Sequence, residues 1–278
     1  MKIEHQLPLS EKQDEFSLWT KTFKPELNLP QNVLAICEHG FTEIVNNVID
    51  HSQGRNITVR GELTDTLTIF EIEDDGIGVF ETLRAHFGFD SDLHALIELV
   101  KGKLTVAPQA HSGEGIFFAS KLFDHFIIES GELLVSFSNN HCDVKNQPSR
   151  QGSLVRMEIA NNSSRTTTSV FNEYCGGEEY AFYKTRFFLS IAVIEGNLVS
   201  RSQAKRVAAR FEKFSEVELD FSGVESIGQG FADELLRVWP LAHRQTMLNV
   251  TNATDRVLKM IEHIKAREDL PQLKAPDA

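Results

Sequence analysis

The chain has 278 residues, 41% of them apolar and 24% charged, with a formal net charge of −12. That length suffices for two modest domains with cores of their own, and the acidic balance argues against a general affinity for nucleic acid, whose phosphates need a concentrated basic surface. No apolar run approaches the roughly 20 residues that span a bilayer, and the N-terminal MKIEHQLPLSEK lacks the apolar core of a signal peptide. Cys37, Cys142 and Cys175 lie far apart and without metal-ligand spacing, and they read as reduced thiols of a cytoplasmic protein.

Ser10 is followed three positions later by Gln13, a capping-box pattern, and then by Phe16, Leu18 and Trp19, so one helix is predicted before Pro25 and Pro30. Residues 1–30 are too few for a domain and are expected to form an N-terminal extension, packed on a neighbour or, in a homodimer, on a second subunit. From Leu34 the pattern becomes α+β. A long helix runs to Asp50, strands NITVRGEL and TLTIFEIE flank a polar turn near Asp65, and the helical stretch DLHALIELV follows. A glycine-bearing loop then leads to a helix around GIFFASKLFD. Further strands are predicted at HFIIESGELLVSFS and QGSLVRMEIA, split by a polar loop, NNHCDVKNQPSRQG.

Residues 161–181 turn to hydroxyls, glycines and acids and read as a linker. Beyond it, residues 182–278 alternate again: a strand region FYKTRFFLSIAV, a helix SRSQAKRVAARFEKF, a strand VELDF, a helix GFADELLRVWPLA, a strand QTMLNV and a helix DRVLKMIEHIKA. Such alternation predicts a smaller layered α/β domain. The closing EDLPQLKAPDA reads as a frayed tail.

The helix EHGFTEIVNNVIDHS has one apolar face, Phe41, Ile44, Val45 and Val48. Its opposite stripe carries Glu43, Asn47 and Asp50 with Asn46 beside them, where an ordinary solvent face would carry Lys–Glu pairs. A side-chain amide oxygen is a hard ligand suited to Mg²⁺, and a carboxylate one turn earlier can orient or deprotonate a water. Taken alone the stripe also fits a polar helix face, and EDDGIG alone also fits a plain turn. In HSGEGIFFASKLFD, Gly113 and Gly115 flank Glu114 just before an apolar helix, where backbone N–H groups can face an anion. An ordinary helix entry has the same look.

Together, in this order, the three stretches resemble the ATP-binding domain shared by gyrase, the Hsp90 chaperone, histidine kinases and MutL, the GHKL family. The likeness covers about residues 31–160 and implies a two-layer α/β sandwich of the GHKL (Bergerat) type with ATP and Mg²⁺ as cofactors. EIVNNVID is similar to the first box, which makes Glu43 the general base, Asn47 the Mg²⁺ ligand and Asp50 a supporting polar group. EDDGIG is similar to the second. Asp75, directly before Gly-x-Gly, is then expected to accept from the adenine amino group, with Gly76 and Gly78 closing over the base and Asp74 solvated. SGEGIFF resembles the third box, with Gly113 and Gly115 in a lid over the phosphates. QGSLVRMEI resembles the last, with Ser153 in the place of a usual threonine. Lys101, Lys103 and His111 fall in that lid and are expected as solvated loop charges, phosphate contact being the other reading. No phosphoacceptor-helix histidine precedes the domain, which argues against a sensor histidine kinase.

VELDFSGVESIGQGFADELLRV looks like the STAS fold of anti-anti-sigma factors, and SRSQAKR and FADEL resemble the STAS-like domain fused behind GHKL ATPases in bacterial proteins; this covers about residues 182–266. Gln229-Gly230 stand where a phosphorylatable serine would be, and the context of Ser226 differs, so switching by phosphorylation is not expected there. Ser222, Ser226 and Gly228 are expected to shape the turn, Phe231, Leu235 and Val238 to pack the helix, and Asp233 and Glu234 to be exposed or to face a partner. Arg201, Lys205 and Arg206 read as a solvated helix face. The resemblances imply a bacterial, Mg-dependent ATP-binding protein, a slow ATPase serving as a nucleotide-controlled switch, with a STAS-like domain for a protein partner. Two alternatives stand beside it: an anti-sigma-type serine/threonine kinase, with Glu43 deprotonating a hydroxyl, and an ATP-gated binding module without turnover. A DNA-binding regulator is disfavoured by the acidic charge and the lack of a helix-turn-helix pattern.

Overall fold

A computed structural model describes residues 2–9, 14–106, 113–138, 141–176, 181–194 and 196–266. The chain divides into two compact units, Met1–Phe171 and Asn172–Ala278.

The first unit is built on a five-stranded antiparallel sheet of β1 (Lys2–Pro8), β2 (Asn56–Leu63), β3 (Leu67–Asp74), β4 (His125–Ser138) and β5 (His141–Ala160), in the order β1-β2-β3-β5-β4. Alternation decides which face is which. Along β3, Thr68, Phe70, Ile72 and Asp74 point inward and are buried, while Glu71 and Glu73 point outward. The outer face carries interleaved charges: Arg60 pairs with Glu73 at 2.8 Å, Arg156 with Glu158 at 2.6 Å, and Arg150 with Glu73. The inner face is covered by α2 (Gln31–His51), which buries Val33, Ile36, Cys37, Phe41, Ile44, Val45 and Val48.

The N-terminal residues belong to this unit. The sequence showed no strand in them, yet β1 forms an edge of the sheet, with Lys2 opposite Glu62 and Pro8 opposite Asn56. Ser10 and Gln13, expected to cap the first helix, lie outside the described residues. Asp14 caps α1 (Glu15–Leu18) by accepting the Phe16 N–H at 3.2 Å, and a π-helical turn continues it to Phe23. Trp19 and Phe23 from that turn meet Phe41 of α2 and Phe70 of β3, with ring centroids 4.9–5.9 Å apart. Aromatic edge contacts of this kind fasten the segment to the core.

Two further expectations are corrected. A helix, α3 (Val79–Phe87), occupies residues for which none was foreseen, bracketed by Gly78 and by Gly88 in the left-handed region at φ 71°. The stretch 139–152, read as a polar loop, is mostly strand, because β5 begins at His141 and pairs Val144 with Val135 and Cys142 with Phe137. Its polarity reflects a stretch with few buried positions, exposed on both sides of the ladder. Helices α4 (Asp92–Leu99) and α5 (Gly115–Leu122) complete the inner layer, and α6 (Thr167–Tyr174) lies in the expected linker.

The second unit opens with a two-residue ladder, β6 (Cys175–Gly176) and β7 (Ala181–Phe182). Its main sheet is parallel and three-stranded: β8 (Lys184–Phe188), β9 (Glu216–Asp220) and β10 (Met247–Thr251), in the order β10-β9-β8. Thr185, Phe187, Val217, Leu219, Leu248 and Val250 are buried on one of its faces. The connections are helical, as parallel strands require: α7 (Ser190–Val193), where a strand had been expected to continue, α8 (Arg201–Ala208), α9 (Gln229–Asp233) running through a π-helical turn into α10 (Trp239–Ala242), and α11 (Asp255–Lys265).

Candidate functional site

The first unit contains a cavity of about 280 Å³, near the lower end of ordinary ligand pockets, about 300–1,000 Å³. Four separate stretches of the chain line it. Helix α2 contributes Glu43, Asn46, Asn47 and His51; the end of β3 and the start of α3 contribute Asp74, Gly78 and Thr82; Leu104–Val106, Gly113 and Gly115 form a third side; Ser153 and Val155 of β5 a fourth.

Of the residues singled out in the sequence, Glu43, Asn47, Gly78, Gly113, Gly115 and Ser153 are thus brought together. Asp50 is not. It is exposed and outside the wall, which Glu43, Asn46, Asn47 and His51 form on this helix. His51 and Asn46 take part instead. His51 was overlooked although it continues the i, i+4, i+8 spacing.

The acidic corner is the second correction. Asp74, expected to be solvated, is 5% exposed and lines the cavity. One of its oxygens accepts the Gly76 N–H at 2.8 Å and the other the Ser153 N–H at 3.2 Å. Burial pushes its carboxyl above the ordinary range, and these two N–H groups offset that only in part. Asp75 does not line the cavity. Its carboxylate turns to the neighbouring loop, taking the N–H groups of Arg55 (2.6 Å) and Asn56 (2.9 Å) and the Asn56 side-chain amide (2.7 Å). Those bonds, the two from Asn56 foremost, hold it below the usual range. Gly76 likewise lies beneath the wall and supplies the N–H to Asp74.

Two glycines bring backbone close to polar side chains of the site. Gly78 has φ 92°, and a Cβ there would stand 2.5 Å from the Ser130 hydroxyl. A Cβ on Gly115 would stand 2.1 Å from Glu43 Oε2, so the first turn of α5 lies directly against that carboxylate. Behind the corner, the Val79 N–H donates to Ser153 Oγ at 2.9 Å.

Lys101 is not a solvated loop charge. It is fully buried at the end of α4 and pairs with Glu98, itself 1% exposed, at 2.6 Å. Lys103 is half-buried with φ 55°, and His111 lies outside the described residues. Among the described residues no group of three or more His, Cys, Asp or Glu side chains is arranged to hold a metal ion. The oxygen donors of Glu43, Asn46 and Asn47 on one wall are of the hard type that Mg²⁺ prefers, and an ion held by one or two protein groups fits this set better than an all-protein cage.

In the second unit, Ser226 is exposed, and the start of α9 is engaged by the preceding loop: Val199 O accepts the Phe231 N–H at 3.1 Å and Leu198 O the Gly228 N–H at 2.8 Å. Asp233 and Glu234, expected on the surface, are buried. Asp233 accepts from Arg237 at 2.6 Å and Arg201 at 3.1 Å, and Lys205 reaches Glu234 at 3.9 Å, so the basic face of α8 clamps the next helix. Phe231 and Leu235 are in the core and Val238 is half-buried.

A family model described as a STAS-like domain of unknown function (DUF4325) matches residues 203–258, within this second unit. No curated protein matches the chain. No helix among the described residues is long and apolar enough to cross a membrane.

Proposed function

We propose that the first unit binds Mg-ATP in the cavity and hydrolyses it slowly, and that the protein is a nucleotide-controlled switch whose STAS-like unit binds a protein partner. The observation that carries this reading is the meeting, at one cavity, of Glu43, Asn47, Gly78, Gly113, Gly115 and Ser153, the residues through which the sequence resembles GHKL ATPases. The match of residues 203–258 supports the second half, since STAS-like domains are often protein-interaction modules.

In this reading the adenine-reading carboxylate is Asp74 rather than Asp75, because only Asp74 reaches the wall. Its two backbone N–H bonds hold the carboxylate in place, and Gly78 lets the chain turn closely against Ser130 and Gly152 beside it. Glu43 would orient a water and take its proton as the water oxygen bonds to the γ-phosphorus and the bond from that phosphorus to the departing ADP oxygen breaks. Asn47 offers its amide oxygen to Mg²⁺, which neutralises phosphate charge when bound. Gly115 brings the first turn of α5 against the Glu43 carboxylate, and Gly113 packs against the Leu104 backbone on the same side of the cavity.

The test follows label from γ-³²P-ATP with Mg²⁺, comparing the protein with Glu43→Ala. Free labelled phosphate is expected from the wild type and a loss of about 100-fold or more in the variant, the usual scale for removing a general base. Glu43-dependent label on protein would replace hydrolysis by transfer to a hydroxyl. Failure to bind ATP at all would end the reading.

A further inference from the structure

The innermost polar group of the corner is one that sequence reasoning did not single out. Ser130 is 1% exposed and sits where the pairing of β4 with β5 slips register, between Ser130 and Gly131. Its Oγ donates to Gly152 O at 3.1 Å, lies 3.3 Å from Ser153 Oγ and closes the space beside Gly78. A hydroxyl has one proton. That of Ser130 is committed to a carbonyl, which can only accept, so in the Ser130–Ser153 pair Ser153 must donate. Ser153 Oγ also receives the Val79 N–H at 2.9 Å. Its proton is therefore turned inward, and what it has left for the cavity is a lone pair.

Asp74 presents carboxylate oxygens in the same wall, so this end of the cavity is made of acceptors. We propose that Ser130 is a specificity-determining positioning residue: by holding the Ser153 proton it makes the site select a purine bearing an amino group at C6 over one bearing an oxo group. The inference rests on the reading of the cavity as a nucleotide site. An exocyclic amine brings N–H donors to the two acceptors, whereas a C6 carbonyl would face them with lone pairs, and sites built to hydrogen-bond one group reject the analogue that lacks it.

Equilibrium binding of Mg-ATP and Mg-ITP to the full-length protein tests it. In Ser130→Ala the Ser153 proton is free to turn outward, and the ATP-over-ITP preference is expected to fall about fivefold, the scale of one neutral hydrogen bond. In a Ser153→Ala background, adding Ser130→Ala should leave the preference unchanged, because Ser130 acts through Ser153. Equal weakening of both nucleotides in Ser130→Ala, or an additive further change in the double variant, would overturn the proposal. Should Ser130→Ala fail to fold, Ser130→Cys, whose sulfur is a weak acceptor for the Ser153 proton, replaces it with the same expectation. A wild type that binds neither nucleotide overturns the cavity reading itself, a result distinct from a wild type that binds both without preference, which refutes Ser130's role alone.

Discussion

Asp74 and Asp75 are adjacent in sequence and opposite in surroundings, so replacing them should have separable effects. Asp74→Asn keeps the size of the side chain but replaces one acceptor oxygen by a donor, at the expense of the bond from Gly76 or Ser153. It is expected to weaken Mg-ATP binding by about tenfold or more while leaving the protein folded, since burying an amide there costs less than burying a charge. Asp75→Ala removes three hydrogen bonds from the loop at Arg55 and Asn56. It should cost about 1–2 kcal/mol of stability and leave affinity within about twofold. Titration calorimetry and thermal melts on both variants decide the matter; an affinity loss confined to Asp75→Ala would return the base-reading role to that residue. Which of the two carboxylates faces the cavity could have been read from the sequence. Thr68, Phe70, Ile72 and Asp74 share one parity along a strand of period two, and parity is a stronger guide to direction than adjacency to Gly-x-Gly.

At the scale of elements, α4 shows what a sequence pattern hides. DLHALIELV reads as an apolar helix, yet Glu98 within it and Lys101 just beyond it are both buried, three positions apart and in contact. A charge at the end of an apolar run is ordinarily taken as solvated, and only the packing of α4 under its neighbours shows otherwise. Lys101→Met takes the ammonium away from a buried carboxylate and is expected to cost about 3–5 kcal/mol, whereas Glu98→Leu combined with Lys101→Met should recover most of that loss. Urea melts of the two variants read the difference; a single variant as stable as the double would mean that other partners compensate Glu98. The hairpin of β4 and β5 eluded prediction for the opposite reason. Residues 143–151 have too few buried positions to show alternation, and their pairing depends on the apolar β4 beside them. The α2 helix and the alternating elements of the second unit were legible because each carries its own periodicity.

At the scale of the molecule, two compact units with separate cores should unfold in two transitions, and each has a handle the other lacks. On the proposed reading, the handle of the first unit is nucleotide: Mg-ATP at 100 times its dissociation constant should stabilise it by about 2.7 kcal/mol through mass action. For the second it is Asp220, fully buried at the end of β9, which accepts from the Ser222 N–H at 2.8 Å, Arg186 at 3.0 Å and Asn252 at 3.1 Å. Burial pulls its carboxyl upward, but the bonds from Ser222, Arg186 and Asn252 outweigh it and hold the group below its ordinary value. A depressed carboxyl contributes stability that is complete above the unfolded value, about 3.9, and is lost as pH falls from there through the folded value. Asp220→Asn should therefore lower the second transition by about 10 °C at pH 7, corresponding to about 2–3 kcal/mol for hydrogen bonds to a charged group, with the gap from wild type closing as pH falls below 4. Calorimetric scans with and without Mg-ATP, from pH 3 to 7, separate the cases. If nucleotide moved only one transition and Asp220→Asn only the other, the units would be thermodynamically distinct, and any signal between them would have to pass through a coupling weaker than either fold. If both transitions moved together under either change, the two units would form one cooperative block, and nucleotide occupancy would bear directly on the stability of the STAS-like unit.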